Sequence, residues 1–223
     1  MNHHLSARID KGYSDIAGSE MAGMMLDYPL ILTTERLILR DFVEIDWEAV
    51  LAYQQDPLYL RYNEWTSRSA EEVRQFVQMF LDQQKQEPRI KFQFVITVKP
   101  TGQLIGNCGV RRNSPETHEG DIGYELDPRF WGKGYATEAA RAVLDFGFSR
   151  LRLHRISAWC IADNTGSARV LEKLGMRQEG RLREHDYFKD RWWDVLLYAI
   201  LYDEWRVQAS QAQAAVPGGE DLT

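Results

Sequence analysis

The residues whose types and spacing could do chemistry begin with Arg129-Phe130-Trp131-Gly132-Lys133-Gly134-Tyr135-Ala136-Thr137. Two glycines flank a lysine where an extended run, 121–126, gives way to a helical pattern with Ala136, Ala139, Ala140, Val143 and Phe146 on one face. Such a turn leaves backbone N–H groups without partners at the positive end of a helix, which makes a seat for a pyrophosphate. Gly132 and Gly134 carry no side chain to block it, Arg129 and Lys133 can add charge at its rim, and the amides of residues 132–137 can meet anionic oxygens. A nucleoside-triphosphate P-loop would need Gly and Ser/Thr where Asp127 and Gly134 stand. A dinucleotide fingerprint would need Gly or Ala where Thr137 stands. Neither NTP nor NAD is favoured.

The elements that must position this turn follow from periodicity. Residues 35–40 read as a strand and 45–55 and 70–84 as helices, the second with Val73, Phe76, Val77 and Phe80 on one stripe. Phe92, Phe94, Ile96 and Val98 alternate at strand period, and Lys99-Pro100-Thr101-Gly102 turns the chain back into a strand over 104–111. After the glycine turn a helix runs to about residue 150, followed by a β-rich run at 155–161. Asp163-Asn164 looks like the cap of a helix bearing Val170, Leu171 and Leu174, and Gly175 stops it. Strands near 176–182 and 192–201 are joined by a polar stretch containing Lys189-Asp190. This order predicts an α+β (mixed α/β) fold: a mixed central sheet of six or seven strands flanked by helices.

Composition bounds the rest. The 223 residues are 44% hydrophobic and 12% aromatic, enough for one domain with a substantial core. That domain is expected over 30–206, between a flexible extension at 1–29 and a flexible tail at 207–223. A net charge of −6 weighs against nucleic acid as a partner. Cys108 and Cys160 lack metal or CxxC spacing and read as reduced core thiols. The histidines show no ligand spacing, so no metal is expected. No apolar run approaches the ~20 residues of a membrane span, and no signal-peptide order begins the chain. A cytoplasmic protein with no membrane partner is expected.

The pattern Arg129-x-x-Gly132-x-Gly134 is similar to the R/Q-x-x-G-x-G/A loop of the GNAT acetyltransferases, which holds the pyrophosphate of acetyl-CoA. Ile122-Gly123-Tyr124-Glu125-Leu126-Asp127-Pro128, leading into Trp131-Gly132-Lys133-Gly134-Tyr135-Ala136-Thr137-Glu138-Ala139, resembles the ribosomal-protein (RimJ/RimL-type) branch. So do Asp163-Asn164-Thr165-Gly166-Ser167-Ala168, Leu171-Glu172-Lys173-Leu174-Gly175-Met176 and the opening Thr34-Glu35-Arg36-Leu37-Ile38-Leu39-Arg40. The resemblance implies a strand at 121–126 that splays from its neighbour to open a cleft for CoA. The pantetheine arm would pair with backbone at 124–126, and an N–H near Leu126 would polarise the thioester carbonyl. It assigns acetyl-CoA contacts to Tyr124, Leu126, Arg129, Gly132, Lys133, Gly134, Tyr135, Ala136, Thr137 and Asn164.

Acetyl transfer to an amine needs a base for the ammonium and a proton for the leaving thiolate. The tyrosine that many family members use as acid is replaced by Leu171. The RimJ/RimL-type scheme instead implies Ser167, in Asn164-x-x-Ser167, acting on the sulfur and Asp186, before the last strand, accepting from the amine. Asp121 and Glu125 are rivals for the base: an even spacing puts them on one face of their strand, with Tyr124 on the other and Glu119 at its mouth. Ser167 could equally satisfy N–H groups of its helix, and Asp186 or Glu125 could be ion-paired. The acceptor side would be lined by Trp47, Tyr53, Tyr62, Trp65, Tyr187, Phe188, Trp192 and Trp193, of which Trp47 and Trp192 are expected in the core. Glu64, Glu119, Asp121 and Asp186 would suit a cationic amine. The implied activity is acetyl transfer from acetyl-CoA to a primary amine, a protein α-amine by analogy. The alternatives are a polyamine, amino acid or aminoglycoside acceptor, or a CoA-binding module without chemistry; the chain would be a monomer or homodimer.

Overall fold

A computed structural model of the chain describes residues 30–214, so the expected extension at 1–29 and the end of the expected tail lie outside the described residues. The body begins with a hairpin of β1 (Ile31–Thr33) and β2 (Leu37–Asp41). A 3-10 turn (Glu44–Asp46), α1 (Trp47–Gln54), α2 (Pro57–Leu60) and α3 (Ala70–Gln84) follow. Then come β3 (Lys91–Val98), β4 (Leu104–Arg111), β5 (Glu119–Leu126), a 3-10 turn (Pro128–Phe130), α4 (Tyr135–Ser149), β6 (Arg155–Ile161), α5 (Thr165–Lys173), β7 (Arg177–Phe188), β8 (Arg191–Leu201) and α6 (Tyr202–Ala214). The strands form one mixed sheet in the order β1-β2-β3-β4-β5-β6-β8-β7, antiparallel throughout except for β5 with β6. This is the mixed α/β architecture the sequence implies. It has one strand more than expected, because three-residue β1 is too short to show a period.

The centre of the sheet is covered on both faces, which is why β3 and β4 are buried almost throughout. Phe92 and Phe94 pack on Phe146 of α4 at 5.1 and 5.8 Å. Val95, pointing the other way, joins Phe42, Val50, Tyr53, Val73, Val77 and Phe80 in a cluster beneath α1 and α3. Ser69 begins α3 with a reciprocal capping box to Glu72, so the helix starts where its apolar stripe requires. This cluster sets the position of α1, whose side chains reach β5.

Two boundaries differ from the sequence reading. The polar residues after Leu182 continue as strand β7 to Phe188, so the connection to β8 is only Lys189-Asp190. Both have positive φ (52° and 57°), the conformation a tight two-residue hairpin needs. Alternating charges hid this strand because most of its residues face solvent. At the C-terminus, α6 runs from Tyr202 to Ala214, past the expected domain boundary at 206, and Trp205 stacks on Phe148 at 5.1 Å while donating to the Asp145 carboxylate at 2.6 Å.

The feature that makes a site is the divergence of β5 and β6. They pair only from Glu119↔Arg155 to Asp121↔Ser157. Beyond that β5 stays with β4 as far as Leu126↔Gly106, while β6 stays with β8 as far as Ile161↔Val195. Gly106 permits the close approach on the β4 side: a Cβ there would lie 2.2 Å from the Glu125 carbonyl oxygen.

Truncating Phe80, whose ring lies 4.7 Å from Phe42, should lower stability by about 3–5 kcal/mol, because the cavity cannot collapse beneath a packed helix. Equilibrium urea unfolding of Phe80→Ala measures this, and a loss near zero would remove the cluster from its positioning role.

Candidate functional site

The wall of the opening is backbone. The Asp127 N–H donates to the Ile105 carbonyl on β4 at 2.8 Å. Successive strand N–H groups alternate in direction, so those of Tyr124 and Leu126 face away from β4, into the gap left by β6. The Leu126 carbonyl is taken by the Trp131 indole N–H at 2.8 Å. The opening therefore presents strand donors with no ladder opposite them.

The glycine turn closes one end of this gap. Gly132 and Gly134 have φ of 74° and 82°, and Gly134 is the N-cap of α4 with no side-chain cap bond. The first intrahelical bond of the turn is donated by Glu138, so the N–H groups of Tyr135, Ala136 and Thr137 stand at the helix start without the usual capping side chain. Free donors at the positive end of a helix dipole suit an anion. The rim is arranged differently. The Arg129 guanidinium folds back on the buried Asp127 carboxylate at 2.6 Å, and the Lys133 ammonium donates to the Arg129 carbonyl at 3.0 Å over the Phe130 ring. Arg36 of the first hairpin, not singled out in the sequence, lies over the Tyr135 ring at 4.5 Å and donates to the Lys133 carbonyl at 3.0 Å.

Glu138 fastens that corner. Its carboxylate accepts from the Thr34 hydroxyl (2.6 Å), the Arg36 N–H (2.8 Å) and the Arg36 Nε (2.6 Å). Burial alone would raise its pKa, but these hydrogen bonds and the Arg36 charge outweigh it and hold the carboxyl below its ordinary value of 4.5. The turn is thereby tied to the β1–β2 hairpin about 100 residues earlier, a contact that no local spacing reveals.

Across the opening stands α5. Asn164 is its N-cap, accepting from the Ser167 N–H at 3.1 Å. The Ser167 hydroxyl lies 2.9 Å from the Tyr124 hydroxyl, and the Tyr124 O–H also reaches the Ser167 carbonyl at 3.0 Å. Burial pushes the Tyr124 phenol well above its ordinary pKa, so it keeps its proton at neutral pH. Burial pushes the Cys160 thiol up to about 11. Both cysteines are free and buried. Tyr124, entered in the sequence reading for its backbone, thus brings a hydroxyl to Ser167. Leu171 is core, 1% exposed.

The candidate carboxylates separate. Glu125 points toward α1 and α2, where Oε1 accepts from the Tyr53 hydroxyl (2.5 Å), the Gln54 amide (2.9 Å) and the Asn107 amide (2.6 Å), and Oε2 from the Tyr59 hydroxyl (2.5 Å). Every partner is neutral, so this is not the structural cation pair that the sequence left open. Tyr53 and Tyr59 are both held fully protonated, by burial first and then by the Glu125 charge. Asp121 is ion-paired with Arg111 at the last rung shared by β5 and β6. Asp186 lies inside β7 opposite Trp193, not in a loop, and its hydrogen-bond partner is His185 Nδ1 at 2.7 Å. Among the described residues, no hydrogen bond links Asp186 to Ser167 or Tyr124.

Among the aromatics expected on the acceptor side, Tyr53 meets Glu125, joined there by Tyr59, which was not expected, and the Tyr62 hydroxyl donates to the Asp163 carbonyl at the α5 cap (3.0 Å). Trp47 packs against the α1–α3 cluster, as expected. Trp192, expected in the core, is 54% exposed and tilted against Tyr187 at the hairpin tip. Strand alternation sends the next residue, Trp193, inward to stack on Phe188 at 4.9 Å. Tyr59, Gln54, Asn107 and Arg36 went unrecognised because each acts through a partner far away in sequence. Among the described residues no group of three or more His, Cys, Asp or Glu side chains could hold a metal.

A family model for the acetyltransferase (GNAT) domain matches residues 36–177. The chain is 36% identical over 174 residues to the uncharacterized N-acetyltransferase YnaD of Bacillus subtilis, covering 78% of this chain and 98% of that protein. It is 32% identical over 101 residues to the ribosomal-protein-serine acetyltransferase of Escherichia coli, covering 45% of this chain and 56% of that one. Among solved structures, a GNAT-family acetyltransferase from Bacillus anthracis shares the fold with a TM-score of 0.68 at 35% identity, over 78% of this chain and 99% of that chain.

The lowered Glu138 pKa carries a pH signature. Its stabilisation is present above the unfolded value of 4.5 and is lost as pH falls through the folded pKa. The stability advantage of the parent over Glu138→Gln, read by thermal unfolding, should shrink between about pH 6 and about pH 3. An advantage independent of pH would show that the carboxylate is not what fastens the turn.

Proposed function

Because the chain is an N-acetyltransferase of the GNAT acetyltransferase family, similar to its ribosomal-protein branch, we propose that it acetylates the α-amine of a protein N-terminus. The observation that carries the reading is the gap between β5 and β6, with unladdered donors along one wall and an uncapped helix start at its end. Acetyl-CoA supplies the thioester-activated acetyl group. The N–H groups of Tyr135, Ala136 and Thr137, with Gly132 and Gly134 keeping the approach open, bind the pyrophosphate; Arg129 and Lys133 shape that rim and Asn164 shapes the opposite one. The Tyr124 and Leu126 backbone holds the pantetheine arm, and the Leu126 N–H stabilises negative charge on the carbonyl oxygen under attack.

The chemistry divides between the two sides of β5. Ser167, its hydroxyl backed by the Tyr124 phenol, delivers a proton toward the leaving sulfur, and Tyr124 thereby stands in for the acid missing at Leu171. Glu125 serves the amine. Its partners carry no positive charge, and among the described residues Oε2 accepts a single hydrogen bond, which leaves room for an incoming ammonium. Asp121 is less suited, since the Arg111 guanidinium already balances its charge, and Asp186 is tied to His185.

Purified protein given acetyl-CoA and a panel of amines should release CoA thiol with peptides bearing a free N-terminus. Tight CoA binding without turnover on any amine would favour a binding module instead. Ser167→Ala should lower kcat by about 100-fold with CoA affinity unchanged, and Tyr124→Phe should lower it by a smaller factor. Gly134→Glu, which places a carboxylate in the anion seat, should abolish CoA binding measured by calorimetry. Unchanged affinity would remove the pyrophosphate assignment.

A further inference from the structure

One cavity beside the Glu125 network has a role that neither the donor nor the transfer chemistry accounts for. It has a volume of about 590 Å³ and is walled by α2, the segment leading to α3 and the β7–β8 turn. Three of its lining residues are cations, Arg61, Arg68 and Lys189, and two more, Thr66 and Ser67, carry hydroxyls. No acidic residue lines it, although the chain's net charge is −6. Each cation is held without a carboxylate. The Arg68 guanidinium lies over the Trp65 ring at 4.7 Å with Nε donating to the Gln54 side-chain amide oxygen at 3.1 Å. Arg61 lies over Tyr62 at 5.2 Å, and the Lys189 ammonium donates to the Leu60 carbonyl at 2.5 Å. Among the described residues none of the three forms an ion pair. Asp56 and Glu72 are occupied in capping α2 and α3, and Glu64, Glu71 and Asp190, which are nearer in sequence to these cations, do not line the cavity.

The cavity is joined to the proposed amine site by a single side chain. Gln54 donates its amide N–H to Glu125 and accepts from Arg68 with its oxygen. A carboxylate and a cluster of cations therefore lie one amide apart. That polarity matches a molecule with an ammonium at one end and an anionic group further along, and it opposes a molecule with a second ammonium.

We infer that the acceptor is an amine that carries a carboxylate, its ammonium set against Glu125 and its carboxylate received by Arg61, Arg68 and Lys189. The inference rests on the acetyltransferase reading of the cleft and narrows it. It selects a peptide N-terminus followed by acidic side chains, or a free dicarboxylic amino acid, and disfavours polyamines and aminoglycosides. A charge-assisted hydrogen bond to a guanidinium or ammonium is strong enough to set such a preference.

The test compares matched acceptors: the peptide Ser-Asp-Glu against Ser-Asn-Gln (both C-terminally amidated), free glutamate, and spermidine, each with acetyl-CoA. The acidic peptide should show kcat/KM about tenfold above its neutral partner, through KM, and an Arg61→Gln/Lys189→Gln double variant should bring that ratio near one. Better turnover of glutamate than of either peptide would assign the carboxylate to a small molecule. Equal use of the two peptides, or preference for spermidine, overturns the inference while leaving the acetyltransferase reading standing. A titration with glutarate, which has carboxylates but no amine, gives an answer independent of turnover. Trp65 fluorescence should change saturably in the parent and not in the double variant, and absence of a saturable change in the parent overturns the pocket. If no amine is acetylated while glutarate binds, the proposed function fails and the carboxylate site remains.

Discussion

The rest of this structure depends on a strand that loses its neighbour. β5 and β6 share a ladder only as far as Asp121↔Ser157, and then each follows a different antiparallel partner. A backbone N–H taken from water without a partner is costly, so a sheet interior is a poor place to leave several. The gap persists because both strands are held on their outer edges, β5 drawn close to β4 at Gly106 and β6 laddered to β8 along its full length. What is left between them is a set of aligned donors without a ladder, next to a helix start without a capping side chain. The divergence thus sets the distance over which α4 and α5 face one another.

Two polar networks then divide the faces of β5. On one, Tyr124 reaches Ser167, whose own N–H is fixed by Asn164. On the other, Glu125 is surrounded by two phenols and two amides, which hold a negative charge in place without neutralising it. Adjacent residues of a strand point oppositely, so Tyr124 and Glu125 place a proton donor and an anion on opposite sides of one backbone without any further device. The helices supply the rest. Tyr53 and Gln54 sit where the α1–α3 cluster puts them, so the Glu125 carboxylate is positioned by apolar packing some distance away.

Much of the fold was legible because its signals are local. The 3.6-residue stripe of α3, the alternation of Phe92, Phe94, Ile96 and Val98, and the glycines of the turn each report the conformation of their own segment. β7 was read short because its alternating side chains face solvent on an outer strand, where charge carries no penalty. Trp192 was placed inside for its size, yet register gave the inward position to Trp193. Around the candidate site, the glycine turn with its uncapped helix start and the serine of the α5 cap were visible as spacing. Glu138, Asn107, Gln54 and Tyr59 were not, since their partners lie between 18 and 104 residues away.

By itself the amino-acid sequence determined the order of elements, the glycine turn with its uncapped helix and the helix cap bearing Ser167. These follow from backbone conformation and periodicity, which neighbouring residues control. Only the tertiary structure decided that Arg129 turns back onto Asp127, that Tyr124 serves Ser167, and that Glu125 keeps an unneutralised charge beside a basic cavity. The physical reason is that a side chain's charge balance and hydrogen-bond partners are set by whatever segment packs against it, and that is a property of the folded chain as a whole.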